Sequence, residues 1–370
     1  MIWRCDLVPQ YVKYKEEIDN AIHKVLLSGR YILSSETEAF EEEFADYNNI
    51  EYAIGVANGT DALILSLKAL GIKKDDEVIT SPFTAFPTIS AIIATGATPV
   101  FVDICKDSYL IDLSKVENLI TSRTKAIIAV HIFGNTVDIP KLREIVGDNV
   151  PIIEDSCQAH GSTLNGKKAG SMGNIGAFSF YPTKNLGGYG DGGAVITNNK
   201  ELFDKIKLMR MYGMIDKDHS VTSGVNSRLD EIQAAILRVK LKYLDEMNLR
   251  RNNIAEIYMR ELDSFFFIHQ QIDNNVFSNY HVFETRFKGN RDNLLKYLEE
   301  KGIQTNIYYV LPHHLQESIK HLGYKVGDLP NTENLCKEGI ALPMYPEMSP
   351  QLIENIIVSL NKFTKSKESK

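Results

Sequence analysis

Cysteine is scarce and scattered: Cys5, Cys105, Cys157 and Cys336 are the only four in 370 residues, with no CxxC pair and no Cys/His ligand spacing. That speaks against a disulfide framework and a structural zinc site, so no metal is expected. The chain also lacks any excess of positive charge. Its 41 Lys+Arg stand against 48 Asp+Glu, a net charge of -7, and no basic block is interleaved with aromatics to track a phosphate backbone; no nucleic acid is expected as a partner. The apolar stretch Thr88–Val102 is too short and too rich in glycine and proline to span a bilayer. The opening MIWRCDLVPQYVKYKEE carries charges and a proline where a secretory signal needs an apolar run. The expectation is a soluble, cytoplasmic protein that makes no use of a membrane.

What is present is length and periodicity. A chain of 370 residues exceeds what one core comfortably supports, so a large domain over residues 1–240 and a smaller one over 241–370 are expected. Two amphipathic helices are predicted near the start, Tyr14–Leu27 and Ser35–Tyr47, the second with Ser35 as its cap. From Tyr52 the pattern alternates. AIGVANG, DEVITSP, TPVFVDI, AIIAVHIFG and VPIIEDS read as buried strands, with TDALILSLKAL and TISAIIATG as helices between the first three. Val- and Ile-rich strands alternating with helices predict an α/β domain around a parallel sheet, with ligands beyond the carboxyl ends of the strands. A charged helical segment, Leu229–Ala255, is expected to connect the domains. SNYHVFETRF and QTNIYYVL read as strands and NRDNLLKYLEEKG and SPQLIENIIVSLNKF as helices of the smaller α+β domain, before a lysine-rich tail, TKSKESK, expected to be disordered.

The chemistry gathers in IIEDSCQAHG, Ile152–Gly161, and FSFYPTKNLGGYGDGG, Phe178–Gly193. An acid ending a buried strand, followed by a lysine in a polar glycine-rich loop, suits pyridoxal phosphate: Lys184 for the Schiff base, Asp155 against the ring nitrogen. NGTDAL, Asn58–Leu63, puts a glycine and a hydroxyl where a helix N-terminus favours phosphate, although Thr60 would serve equally as a plain N-cap. Ser179 is a second phosphate candidate, or simply one position of an alternating strand.

From the GRYILSS loop through NGTDAL, ATPVFVDI, EDSCQAHG, FSFYPTKNLGGYGDGG, NSRLDEIQAAIL and QTNIYYVLPHHLQ to ALPMYP, the chain resembles the DegT/DnrJ/EryC1/StrS sugar-nucleotide aminotransferases. The resemblance implies an aspartate-aminotransferase-like fold, type I among the pyridoxal-phosphate folds. It also implies a homodimer with active sites at the interface. By the same resemblance Lys184 is the Schiff-base lysine and acid/base, Asp155 pairs with the pyridine nitrogen, and Gln158 contacts the ring hydroxyl. Gly59, Thr60 and Ser179 bind the phosphate together with Asn226 of the partner subunit. Relatives that are dehydratases carry histidine in place of the lysine, so Lys184 points to a transaminase. Where relatives place an aromatic on the cofactor ring this chain has Ala85, leaving Phe86 or Phe83 for the role. The C-terminal motif is closest to enzymes that aminate C3 of a dTDP-linked 3-keto-6-deoxyhexose, with Tyr181, Tyr308 and Tyr309 around the sugar. Arg30, Tyr31 and Arg228 are candidates for the nucleotide and its diphosphate, or else surface residues. L-Glutamate would donate the amine, leaving as 2-oxoglutarate with pyridoxamine phosphate formed between the two stages. Amination at C4, a UDP-linked 3-keto-N-acetyl sugar and a non-catalytic regulatory protein on the same fold are the alternatives.

Overall fold

The computed structural model describes residues 1–366. Residues 367–370, the end of the tail expected to be disordered, lie outside the described residues. Seven strands make the central sheet: β1 (Tyr52–Val56), β2 (Glu77–Thr80), β3 (Thr98–Phe101), β4 (Thr124–Val130), β5 (Ile152–Asp155), β6 (Ile175–Ser179) and β7 (Gly193–Thr197). Their order is β1-β7-β6-β5-β4-β2-β3. β2 to β6 run parallel where they pair, and β7 alone is reversed, antiparallel to both β1 and β6. The strands are apolar along their length because both faces are covered. On β4 the alternation is visible in the packing: Ala126, Ile128 and Val130 enter one apolar cluster, Ile127 and Ala129 another.

The expected α/β architecture is therefore present; β6 ends at Ser179, the position offered as part of an alternating strand, and β7 is the strand that no sequence period announced. They are joined by the glycine-rich loop that carries Lys184. The loop follows the carboxyl end of β6, and with the end of β5 and the start of helix α3 (Gly59–Ala69) it lies at the carboxyl end of the parallel strands, from which β7 runs back.

The first two helices are α1 (Val8–Ser28) and α2 (Ser35–Asn48). The cap of α2 differs from expectation. Ser34, not Ser35, is the N-cap residue, and its side chain makes no capping bond. The Glu231 carboxylate does the work from outside, accepting from the backbone N–H of Ser34 (2.7 Å), Glu36 (2.9 Å) and Thr37 (2.9 Å). A charged acceptor satisfies several orphan donors where a serine satisfies one, and no local sequence pattern reveals a cap supplied from 197 residues away.

The helix expected over Leu229–Ala255 is two helices, Glu231–Leu241 and Leu244–Glu261, broken at Tyr243 (φ -110°, ψ 1°). A second sheet follows, three antiparallel strands in the order Phe267–His269, Phe283–Phe287, Gly339–Leu342. Helices Arg291–Glu300 and Pro350–Thr364 pack on it around Phe283, Phe287, Leu294, Leu298 and Phe363. The strand expected at QTNIYYVL is absent, and only Asn306 bridges Ala341. Consecutive residues of a strand point to opposite faces, whereas Tyr308 and Tyr309 both pack into one aromatic cluster, against Phe133 (5.9 Å) and Phe83 (5.4 Å) respectively. Among the described residues no helix is long and apolar enough to cross a membrane.

Burial pushes the Glu231 pKa up, but hydrogen bonds from Thr37, Ser34 and Glu36 outweigh it and leave the pKa lowered. A depressed carboxylate stabilises fully above its unfolded value of about 4.3 and loses the contribution as pH falls through the folded value. Glu231→Gln should lower stability by about 1–3 kcal/mol at neutral pH, read by urea denaturation. The gap to the parent protein should narrow in acid.

Candidate active site

Asp155 is the last residue of β5 and only 5% exposed. Its Oδ2 accepts from Thr88 Oγ1 at 2.7 Å, and its Oδ1 accepts from the Cys157 N–H at 3.2 Å. A carboxylate can only accept, so Thr88 must donate to it, and the 2.7 Å contact between Thr84 and Thr88 then runs from Thr84 to Thr88. The result is a buried acid whose orientation is set by a hydroxyl relay from helix α4 (Phe86–Ala94). The sequence reading missed this relay, for which TAFPT held only a turn signal.

The phosphate cradle sits at the start of α3. Asn58 is the N-cap, its side chain accepting from the Asp61 N–H at 2.8 Å, so Thr60 lies inside the first turn and the plain-cap alternative for it falls. Gly59 is there because nothing larger fits: a Cβ would stand 2.7 Å from Ser179 Cβ and 3.0 Å from Cys157 Sγ. Gly59, Thr60 and Ser179 are thus brought together at a helix end whose free amides and dipole favour an anion.

Lys184 is half-buried in the loop between β6 and β7. Its N–H bonds Tyr181 O at 2.8 Å, and the neighbouring Asn185 side chain is tied to Asn248 (2.8 Å), Asn279 O (2.9 Å) and His281 Nδ1 (3.2 Å). This buried network, invisible at sequence level because its members are far apart in the chain, fixes where the lysine starts. The amine makes no ion pair among the described residues. Burial lowers its pKa, the Cys157 thiol and Asp155 push it back up, and Arg4 adds to the lowering. Nearby His160 is pushed down to about 3, first by burial and then by Lys184, so it is neutral at physiological pH.

Gln158, mostly buried, accepts from the Phe133 N–H at 2.8 Å, with its amide 3.4 Å from the Tyr309 hydroxyl. It therefore joins the strand-end cluster to the tyrosine pair. Tyr308 and Tyr309 are half-buried beside it, whereas Tyr181 is 53% exposed at the start of the lysine loop. Phe83 is buried against Phe133 and Tyr309. Phe86 opens α4 and packs edge-on against His313 at 5.3 Å. Asn226 is exposed beside the backbone bridge it makes to Met211. Arg30 is exposed and Arg228 half-buried.

A half-buried amine with a lowered pKa, an oriented buried carboxylate and a glycine-lined helix N-terminus are the donor set that pyridoxal phosphate requires. The residues present fit that group. The family model described as DegT/DnrJ/EryC1/StrS aminotransferase family matches residues 12–361. The chain belongs to this family. The aminotransferase is 42% identical to a dTDP-3-amino-3,6-dideoxy-alpha-D-galactopyranose transaminase of Aneurinibacillus thermoaerophilus, covering 98% of this chain and 99% of that one. It is 42% identical to a dTDP-3-amino-3,4,6-trideoxy-alpha-D-glucose transaminase of Micromonospora megalomicea subsp. nigra, over 95% and 96% of the two chains. Among solved structures it superposes on S. venezuelae DesV in complex with a ketimine intermediate with a TM-score of 0.95, 39% identity and 98% coverage of each chain.

In this aminotransferase Gly59→Ala should weaken pyridoxal phosphate binding roughly ten- to a hundredfold, the outcome of about 1–3 kcal/mol of overpacking at the cradle. Equilibrium dialysis measures it. Alanine is the better helix former, so a loss of affinity without a loss of helix stability isolates the steric cause.

Proposed function

We propose that this chain is a pyridoxal-phosphate-dependent aminotransferase that moves the amine of L-glutamate to C3 of a dTDP-linked 3-keto-6-deoxyhexose, acting in the cytoplasm as a homodimer. One observation carries the chemistry: Lys184 is a half-buried amine whose pKa burial lowers, within electrostatic reach of the oriented Asp155 carboxylate, in the loop that follows Ser179, the residue against which the helix-end glycine Gly59 is packed. Full-length identity to two transaminases named for 3-amino dTDP sugars supports the choice of C3. When bound, the cofactor supplies a sink for the electron pair left as the C–H bond of the amine-bearing carbon breaks.

Each remaining role belongs to this chain. Asp155, held by Thr88 and the Cys157 amide, keeps a proton on the ring nitrogen through a charge-assisted hydrogen bond. Gly59, Thr60 and Ser179 hold the phosphate, with Asn226 of the partner subunit. Lys184 Nζ takes the proton from the donor carbon and returns it across the cofactor. It then reverses these steps for the sugar, which requires an amine that is neutral part of the time. Burial of Lys184 supplies that condition. Gln158 would contact the ring hydroxyl and Phe86 or Phe83 would supply the aromatic face, while Tyr181, Tyr308 and Tyr309 offer hydroxyls and ring faces to the hexose. Exposed Leu26, Leu27, Tyr31, Ile32, Tyr212 and Ile215 support a dimer surface around the end of α1 and the hairpin after Leu208. The separate apolar core from Ile254 onward supports the division into domains 1–240 and 241–370.

Offered a panel of 3-keto and 4-keto nucleotide sugars with L-glutamate, the enzyme should aminate the dTDP-linked 3-keto sugar, with the carbon read by NMR of the product. A 4-amino product would overturn the choice of carbon. Lys184→Ala should lose at least about 10³-fold in turnover, more than general acid/base assistance commonly contributes at its lower limit. The rate at which cofactor-free protein captures pyridoxal phosphate should rise with pH and level off below about 10.4, the ordinary lysine value. In Asp155→Asn the levelling should move to still lower pH, because a charge that raises the lysine pKa is gone.

A further inference from the structure

The N-terminal segment reaches the active site. Ile2 bridges Ile303, with Ile2 N–H to Gly302 O at 2.6 Å and Gln304 N–H to Ile2 O at 2.8 Å. Arg4 N–H bonds Gln304 Oε1 at 3.0 Å, and Arg4 O accepts from Met344 N–H at 2.9 Å. The backbone of Arg4 is therefore clamped from both sides. Its guanidinium lies over the Tyr308 ring, 5.7 Å from the centroid, a contact that orients the planar fork. Among the described residues it meets no carboxylate and makes no side-chain hydrogen bond. The buried Arg251 guanidinium of this region is anchored to backbone, its Nη1 donating to the carbonyls of Tyr280, His281 and Met344. The whole Arg4 fork is left unused, half-buried and close enough to Lys184 to act on its charge.

We propose that Arg4 receives the α-carboxylate of the amino donor, a donor-binding role that rests on the transaminase reading above. An α-amino acid carries its carboxylate on the very carbon whose proton Lys184 removes, so the anion must come down beside that lysine. The diphosphate of a nucleotide sugar is separated from the carbon being aminated by the width of the hexose. A planar fork held on the Tyr308 ring, within electrostatic reach of the lysine, suits the former.

The experiment takes holoenzyme through each half-reaction in a single turnover, following the absorbance of the bound cofactor. With Arg4→Met the half-maximal L-glutamate concentration should rise at least about thirtyfold, the loss of roughly 2 kcal/mol from one charged hydrogen-bonded contact. Arg4→Lys should recover part of this. The keto-sugar half-reaction should stay within about twofold, which also certifies that the variant is folded. An unchanged donor half-reaction, or an equal fall in both halves, overturns the proposal. Maleate, a dicarboxylate without an amine, should bind holoenzyme at least tenfold more weakly in Arg4→Met. If the parent enzyme does not react with L-glutamate, the choice of donor fails, and maleate binding still decides the role of Arg4.

Discussion

The site depends on one close approach, that of the α3 N-terminus to the ends of β6 and β7. Gly59 lies where a Cβ would meet Ser179, and Gly193 lies where a Cβ would stand 2.5 Å from the carbonyl of Asn58. Two glycines on different elements thus let the first turn of a helix sit directly on the strand that leads into the lysine loop. The phosphate cradle and the reactive amine are consequently set by the same contact, and neither can shift without the other. A parallel sheet alone would not produce this. It takes the reversed β7, which brings the glycine-rich loop back over the sheet edge where Asp155 ends β5.

Charge in the site follows from that geometry. Asp155 is buried, yet its oxygens accept from Thr88 and from the Cys157 amide, so its ionised form has partners. Lys184 has none of that support, and burial dominates its protonation. Two groups of opposite sign in one site are thereby treated differently: the acid is oriented by its donors, the base is kept reactive by burial. The histidines nearby add no competing proton at neutral pH. Burial is the first cause lowering both His160 and His281, with Lys184 second in each case.

What was legible in the sequence had a local signature. Five strands of the central sheet and the closing helix all came from short patterns whose physics is contained within the segment itself. Where the signal was non-local the reading failed. The α2 cap is supplied by Glu231, the asparagine network around Asn185 joins residues of three separate segments, and the relay to Asp155 comes from Thr88 on another helix and Thr84 in the loop before it. β7 was missed because GGAVIT is short and begins in two glycines, Gly192 against Leu229 and Phe180 and Gly193 against Asn58, which dilute any strand period. Thr60 was ambiguous for a related reason: both capping and phosphate binding favour a hydroxyl at a helix start, and only the location of Asn58 separates them.

The tyrosine pair carries the same lesson into function. QTNIYYVL has the composition of a strand, but a strand would send one tyrosine to each face, and here both are needed on one side. Giving up the strand costs ladder hydrogen bonds along that segment. At its start the Gln304 N–H donates to Ile2 O, and the N-terminal residues also bond the Gln304 side chain and the neighbouring Gly302 and Met344. Ile2 to Arg4 thus dock beside the start of the irregular segment, and in doing so carry a guanidinium onto Tyr308. A segment that looks like a frayed terminus in the sequence is, in the folded chain, a wall of the site.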